Sequence, residues 1–231
     1  MRMIRIVGVL ALLVIGVAIW MVIVQGRFED VPKTQSLPGG FKSRLLAMEF
    51  VSNTSDVDTI LGPNVPHNRE IMQRVLMIDF IWIVCYGLLF ASISALLMRR
   101  RCPWARYLGF VALIAGVAAA VFDFRENRRI LEVMSQVPYE QNVVNRLNDA
   151  ALLKWTFSFV AIALLAIAFQ DLANRFAKWI SISFILTALI GFAGLWHYPL
   201  LRFIALPLLS GLLLLTLTAF FWPEKLKENA C

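Results

Sequence analysis

Asp79, Tyr86, Asp123, Glu126, Asn127, Lys154, His197 and Arg202 are the residues of this chain best placed for chemistry, because each lies inside or against a strongly apolar run. Polar and ionisable side chains in such runs are costly, so each demands a partner or a role. Asp123, Glu126 and Asn127 stand at i, i+3 and i+4, which sets three oxygen-bearing side chains on one helical face. With Asp79 nearby, that set suits a hard cation, which takes several oxygen ligands. The same carboxyl groups suit general acid and base work, with His197 or Lys154 as partner. Tyr86 shares a helical face with Asp79 and would line the floor of such a site. A structural role is the alternative: Asp79 pairs with Lys154, Asp123 pairs with Arg202 or an arginine of 125–129, and the network sets helix register. His67 and Glu70, at i and i+3, could add ligands from above, but a chain with two histidines argues against a His-based zinc site. No metal centre and no cofactor are expected, and the three cysteines, at 85, 102 and 231, follow no metal or disulfide spacing.

The elements that carry these residues are hydrophobic runs. The composition is 60% hydrophobic, more than a soluble domain of this size can bury. A span needs about 20 mostly apolar residues to cross about 30 Å of hydrocarbon. Six runs qualify, at residues 4–25, 75–98, 107–124, 151–170, 179–197 and 203–222. Backbone groups in lipid must be satisfied within the segment, so each run is a helix. The expected fold is all-α, a single polytopic membrane bundle over residues 1–231, with extracytoplasmic loops at 26–74 and 125–150. The first run starts with Arg2 and Arg5 but is too long for a signal peptide and lacks a small-x-small ending, so it reads as an uncleaved anchor.

Charge orients the bundle. The connection from Arg99 to Arg106 holds four arginines and no acid, and basic residues in short connections stay cytoplasmic. Six spans then place both termini inside. On this layout the cytoplasmic segments carry ten basic and three acidic residues, hence +7, and the remainder carries twelve of each, hence zero. Trp20, Trp155 and Trp196 fall near outer span ends, and Trp104, Trp179 and Trp222 near inner ones, as interfacial anchors do. The basic inner loops are explained by topology and anionic lipid, so no nucleic-acid partner is inferred.

In the first long loop, a linker over residues 32–40 leads to a short helix at 41–50, whose Phe41, Leu45 and Met48 share a face suited to the bilayer or the bundle. Ser55 would cap a second short helix, stopped by Gly62-Pro63. Small residues line faces of the third span (Ala112, Gly116, Ala120) and the fifth (Thr187, Gly191, Gly194), where membrane helices pack closely. Those stripes lead toward Asp123 and His197, so the ionisable groups converge in a cup open to the outer face. Ser92, Ser94, Ser181 and Ser183 are expected to bond the backbone of their own helices. The inner halves of the spans hold no Asp, Glu, Lys, Arg or His, which argues against an ion-coupled transporter.

The sequence around Met77-Ile78-Asp79-Phe80, the Asp123-x-x-Glu126-Asn127 motif and Leu153-Lys154-Trp155 resembles a group of bacterial multi-span membrane proteins of no assigned activity. The resemblance covers residues 41–170. It implies a bacterial cytoplasmic membrane and assigns no role to any residue. Taken together, the residues lead to a membrane protein with an outward-facing polar pocket for a lipid headgroup, a small polar ligand or a cation. A membrane enzyme acting on a lipid-linked or periplasmic substrate, and a structural or accessory subunit, are the alternatives.

Overall fold

A computed structural model describes residues 2–28, 37–62, 64–100, 102–135, 138–170, 172 and 174–226. Among these the secondary structure is entirely helical. The helices are α1 (Arg2–Gln25), α2 (Arg44–Glu49), α3 (Thr54–Leu61), α4 (Val65–Met98), α5 (Pro103–Ser135), α6 (Gln141–Gln170), α7 (Arg175–Trp196) and α8 (Ala205–Phe221), with 3₁₀ turns at Pro38–Gly40, Tyr198–Phe203 and Pro223–Leu226. Six helices are long and apolar enough to cross a membrane: α1, α4, α5, α6, α7, and α8 with the turn before it. The chain is a polytopic α-helical membrane bundle. Of the expected features, most of the linker at 32–40, together with Pro63, Arg101, Lys227 and Cys231, falls outside the described residues.

Helix starts follow local chemistry. Pro103 opens α5 where its missing N–H costs nothing, and Asn174 caps α7 by accepting the Ala177 N–H at 2.9 Å. Three helices outrun their apolar runs. At about 1.5 Å per residue, the 34-residue α4 is about 51 Å long, far more than the hydrocarbon needs. The polar stretch 65–74 continues as helix, and 125–150 is helical at both ends with the break near Pro138 that its sequence leads one to expect. The connections between α1 and α4 and between α5 and α6 shrink accordingly, and Asp79, Asp123 and Lys154 sit within uninterrupted helices.

The long helices follow one another round a closed ring: α4 packs on α5, α5 on α6, α6 on α7, α7 on α8, and α1 closes the gap between α8 and α4. The small-residue stripes set the tight contacts. A Cβ at Gly116 would stand 2.8 Å from the Phe90 Cβ of α4, and one at Gly191 would strike the Phe159 ring of α6. The hydroxyls of Thr187, Thr216 and Thr218 donate one turn back, but the buried Ser94 hydroxyl, expected to do the same, has no hydrogen-bond partner among the described residues. Ser181 also departs from that pattern: its hydroxyl donates to Ala166 O of the neighbouring α6 at 2.7 Å.

The helices α2 and α3 cover the end of the ring that carries the long connections. Phe41, Leu45 and Met48 are all buried, so α2 lies on protein and not on lipid. Phe41, Phe50 and Tyr198 stack, which ties this segment to the turn after α7. The cap of α3 is Asn53, not Ser55. Asn53 Oδ1 accepts the Asp56 N–H at 2.9 Å, and Asp56 Oδ2 accepts the Asn53 N–H at 3.3 Å. Gly62, at φ 69°, ends α3 in a conformation that favours glycine. Cys85 is a free thiol.

Candidate functional site

Beneath α2, the expected convergence is real, but it includes a member the sequence reading did not select. Lys154 of α6 is the hub. Its Nζ lies 2.7 Å from Glu126 Oε2, 2.9 Å from Glu49 Oε2 and 3.4 Å from Asp123 Oδ1. It also stands 4.9 Å from the centre of the Trp155 ring. Tyr86 donates its hydroxyl to Asp123 Oδ2 at 2.8 Å, and Asn127 donates its amide to Asp79 Oδ2 at 2.7 Å. Trp155 donates its indole N–H to Glu49 Oε2 at 2.8 Å. The i, i+3, i+4 spacing on α5 therefore works as expected: one helical face delivers two carboxyl groups and an amide to the same place.

Glu49 was missed because it lies in a short amphipathic helix far from any span. Only the fold of α2 over the ring brings it to Lys154. The one signal in the sequence was a lone acid on the apolar side of residues 41–50. Trp155, read as an interfacial anchor, is instead half-buried and turned to Glu49. The direct Asp79–Lys154 pair is replaced by an Asp79–Asn127 hydrogen bond, and Asp123 pairs with Lys154 rather than with an arginine.

Two expected members do not join. His197 caps the C-terminal end of α7 and is exposed, and Arg202 is exposed with its guanidinium over the Phe203 ring. Among the described residues neither forms an ion pair or hydrogen bond with the cluster. His67 is exposed too, and Glu70 is engaged by Arg74 at 2.5 Å. The cup is also not open. Glu49, Asp79, Asp123, Glu126, Asn127 and Lys154 are each at most 6% exposed, because α2 roofs them. A surface groove of about 380 Å³, lined by Thr54, Ser55, Asp58, Pro138 and Tyr139, shares no residue with the cluster.

The electrostatics are lopsided. Four carboxyl groups surround one ammonium, so full ionisation would leave a formal −3. Arg44, the buried cation of α2, donates to Ile60 O at 2.5 Å and lies over the Phe28 ring. Burying a charge costs several kcal/mol unless it is paired and hydrogen-bonded. Burial lifts the Glu49 carboxyl above its ordinary range and Asp123 adds to the rise, while Lys154 and Trp155 oppose it. Asp123 Oδ1 and Glu126 Oε2 face Lys154 at ion-pair distance without hydrogen-bond geometry, and Glu126 Oε1 has neither. Among the described residues, no three His, Cys, Asp or Glu side chains are placed to hold a metal ion.

Comparison with protein-family models, with curated proteins and with solved structures finds no match to this chain. The functional reading therefore rests on the sequence and the geometry.

Proposed function

We propose that this chain is a multi-pass protein of a bacterial cytoplasmic membrane whose roofed acidic chamber binds a lipid headgroup, a small polar ligand or a cation. The observation that carries the reading is the chamber's excess of buried carboxyl groups over cations, with the fully buried Glu126 keeping one oxygen unpartnered. A network that served only to hold helices in register is best built from matched acids and cations, whereas here the acids outnumber the cation. The charge asymmetry of the connections supports an orientation with both termini cytoplasmic and the chamber at the outer end. The resemblance of residues 41–170 supports the bacterial setting.

The test is thermal unfolding of the purified protein in nanodiscs of differing headgroup and in differing salts. A ligand that binds only the folded state raises Tm with concentration. At least one lipid or cation is expected to do so, and Asp79→Ala, Asp123→Ala or Glu126→Ala is expected to remove the shift. A Tm indifferent to every lipid and cation would sink the reading.

A further inference from the structure

The donors and acceptors in the chamber narrow the ligand class, an inference that rests on the ligand-binding reading above. The donors are already committed. The Tyr86 hydroxyl serves Asp123, the Asn127 amide serves Asp79, the Trp155 indole serves Glu49, and the Lys154 ammonium faces three carboxyl groups. What remains is acceptor capacity. Glu126 Oε1 is buried with no partner, and Asp123 Oδ1 has no hydrogen bond. In its ionised form a carboxylate only accepts, so a ligand that binds the ionised Glu126 must donate to it. Beside one ammonium and four carboxyl groups, a ligand that brings positive charge is the one that favours their ionised forms.

These requirements exclude several classes. A phosphate or carboxylate would add acceptors and negative charge. A quaternary ammonium has charge but no N–H to give. A metal ion lacks a group of three suitably placed ligands among the described residues. A primary ammonium is compact, carries one charge and offers three donors. We infer that the chamber binds a primary ammonium group, accepted by Glu126 Oε1 and Asp123 Oδ1 and carried by either a lipid headgroup or a free amine. Because all the acceptors are buried, seating it requires the α2 roof to lift and close again.

The experiment uses the full chain in phosphatidylcholine nanodiscs, to which ethanolamine hydrochloride, choline chloride or sodium chloride is added at matched ionic strength. A second set of nanodiscs contains phosphatidylethanolamine. A saturable Tm rise of a few degrees with ethanolamine supports a free-amine source, and the same rise in phosphatidylethanolamine discs supports a lipid source. Either rise should vanish in Glu126→Gln and persist in Glu132→Gln, which alters an acid outside the chamber. Asp123→Asn replaces Glu126→Gln if the latter does not fold. No rise from either ammonium source, or an equal rise with choline or sodium, overturns the inference. A rise confined to choline, sodium or another lipid overturns it while leaving the ligand-binding reading intact, and no rise with anything overturns both.

Discussion

The two ends of this bundle solve different problems with the same helices. At the end bearing the long connections, α4, α5 and α6 bury four ionisable groups of the spans, and α2 adds a fifth, Glu49. Between that end and the basic residues at the opposite ends of the helices (Arg5, Arg106, Arg175 and Lys178), the spans contain no Asp, Glu, Lys, Arg or His. That part is held by small-residue contacts such as Gly109 against Leu97 and the Ser94 carbonyl, and by hydroxyls that donate to backbone, such as Ser181 to Ala166. Apolar packing in lipid is served by close approach of backbones, not by charge. The charged end departs from that economy and holds more carboxyl groups than cations, which is the basis of the proposed ligand site.

The sharpest way to break the contrast is Lys154→Met. It leaves four buried carboxyl groups without their only ammonium, so a loss of about 3–5 kcal/mol is expected, read as a large fall in Tm or failure to fold. Adding Glu126→Gln to that variant should restore part of the loss. At the apolar end, Gly109→Ala places a Cβ about 2.9 Å from both the Leu97 Cβ and the Ser94 carbonyl oxygen. Overpacking of this kind costs about 1–3 kcal/mol, so its loss should be smaller than that of Lys154→Met in the same assay.

Glu49 supplies a pH test. Its carboxyl is raised in the folded state, so the stability it contributes is fully present at low pH and is lost as pH rises through the raised value. Thermal melts at a series of pH values should show wild type weakening over that window and Glu49→Gln weakening less. Equal slopes would remove Glu49 from the electrostatic imbalance. The smallest effect belongs to Ser181→Ala, which loses one interhelical hydrogen bond worth about 0.6 kcal/mol and should barely move Tm.

Much of the chamber was readable beforehand because helical periodicity is a local rule. Asp123, Glu126 and Asn127 share a face at any helix orientation, and Tyr86 and Asp79 do the same on α4. The errors came where position depends on a second element. His197 and Arg202 sit at span ends near the cluster in depth, but depth does not give rotation about the ring, and both face outward. The span limits were close for α1, α7 and α8. They fell short for α4, α5 and α6, since apolar content marks where lipid ends and not where a helix ends.

The sequence by itself determined six spans, because the cost of unsatisfied backbone in lipid leaves helix as the outcome for each apolar run. It also determined that the ionisable groups of the spans lie toward one end, which is a matter of position along each run. Only the tertiary structure decided that Glu49 joins the cluster, that Trp155 turns inward to it and that the cluster is buried. Those contacts join residues about a hundred positions apart, as Trp155 and Glu49 are, and depend on how a short helix settles on a ring of six. No local spacing encodes that placement; the packing of Phe41, Phe50 and Tyr198 does.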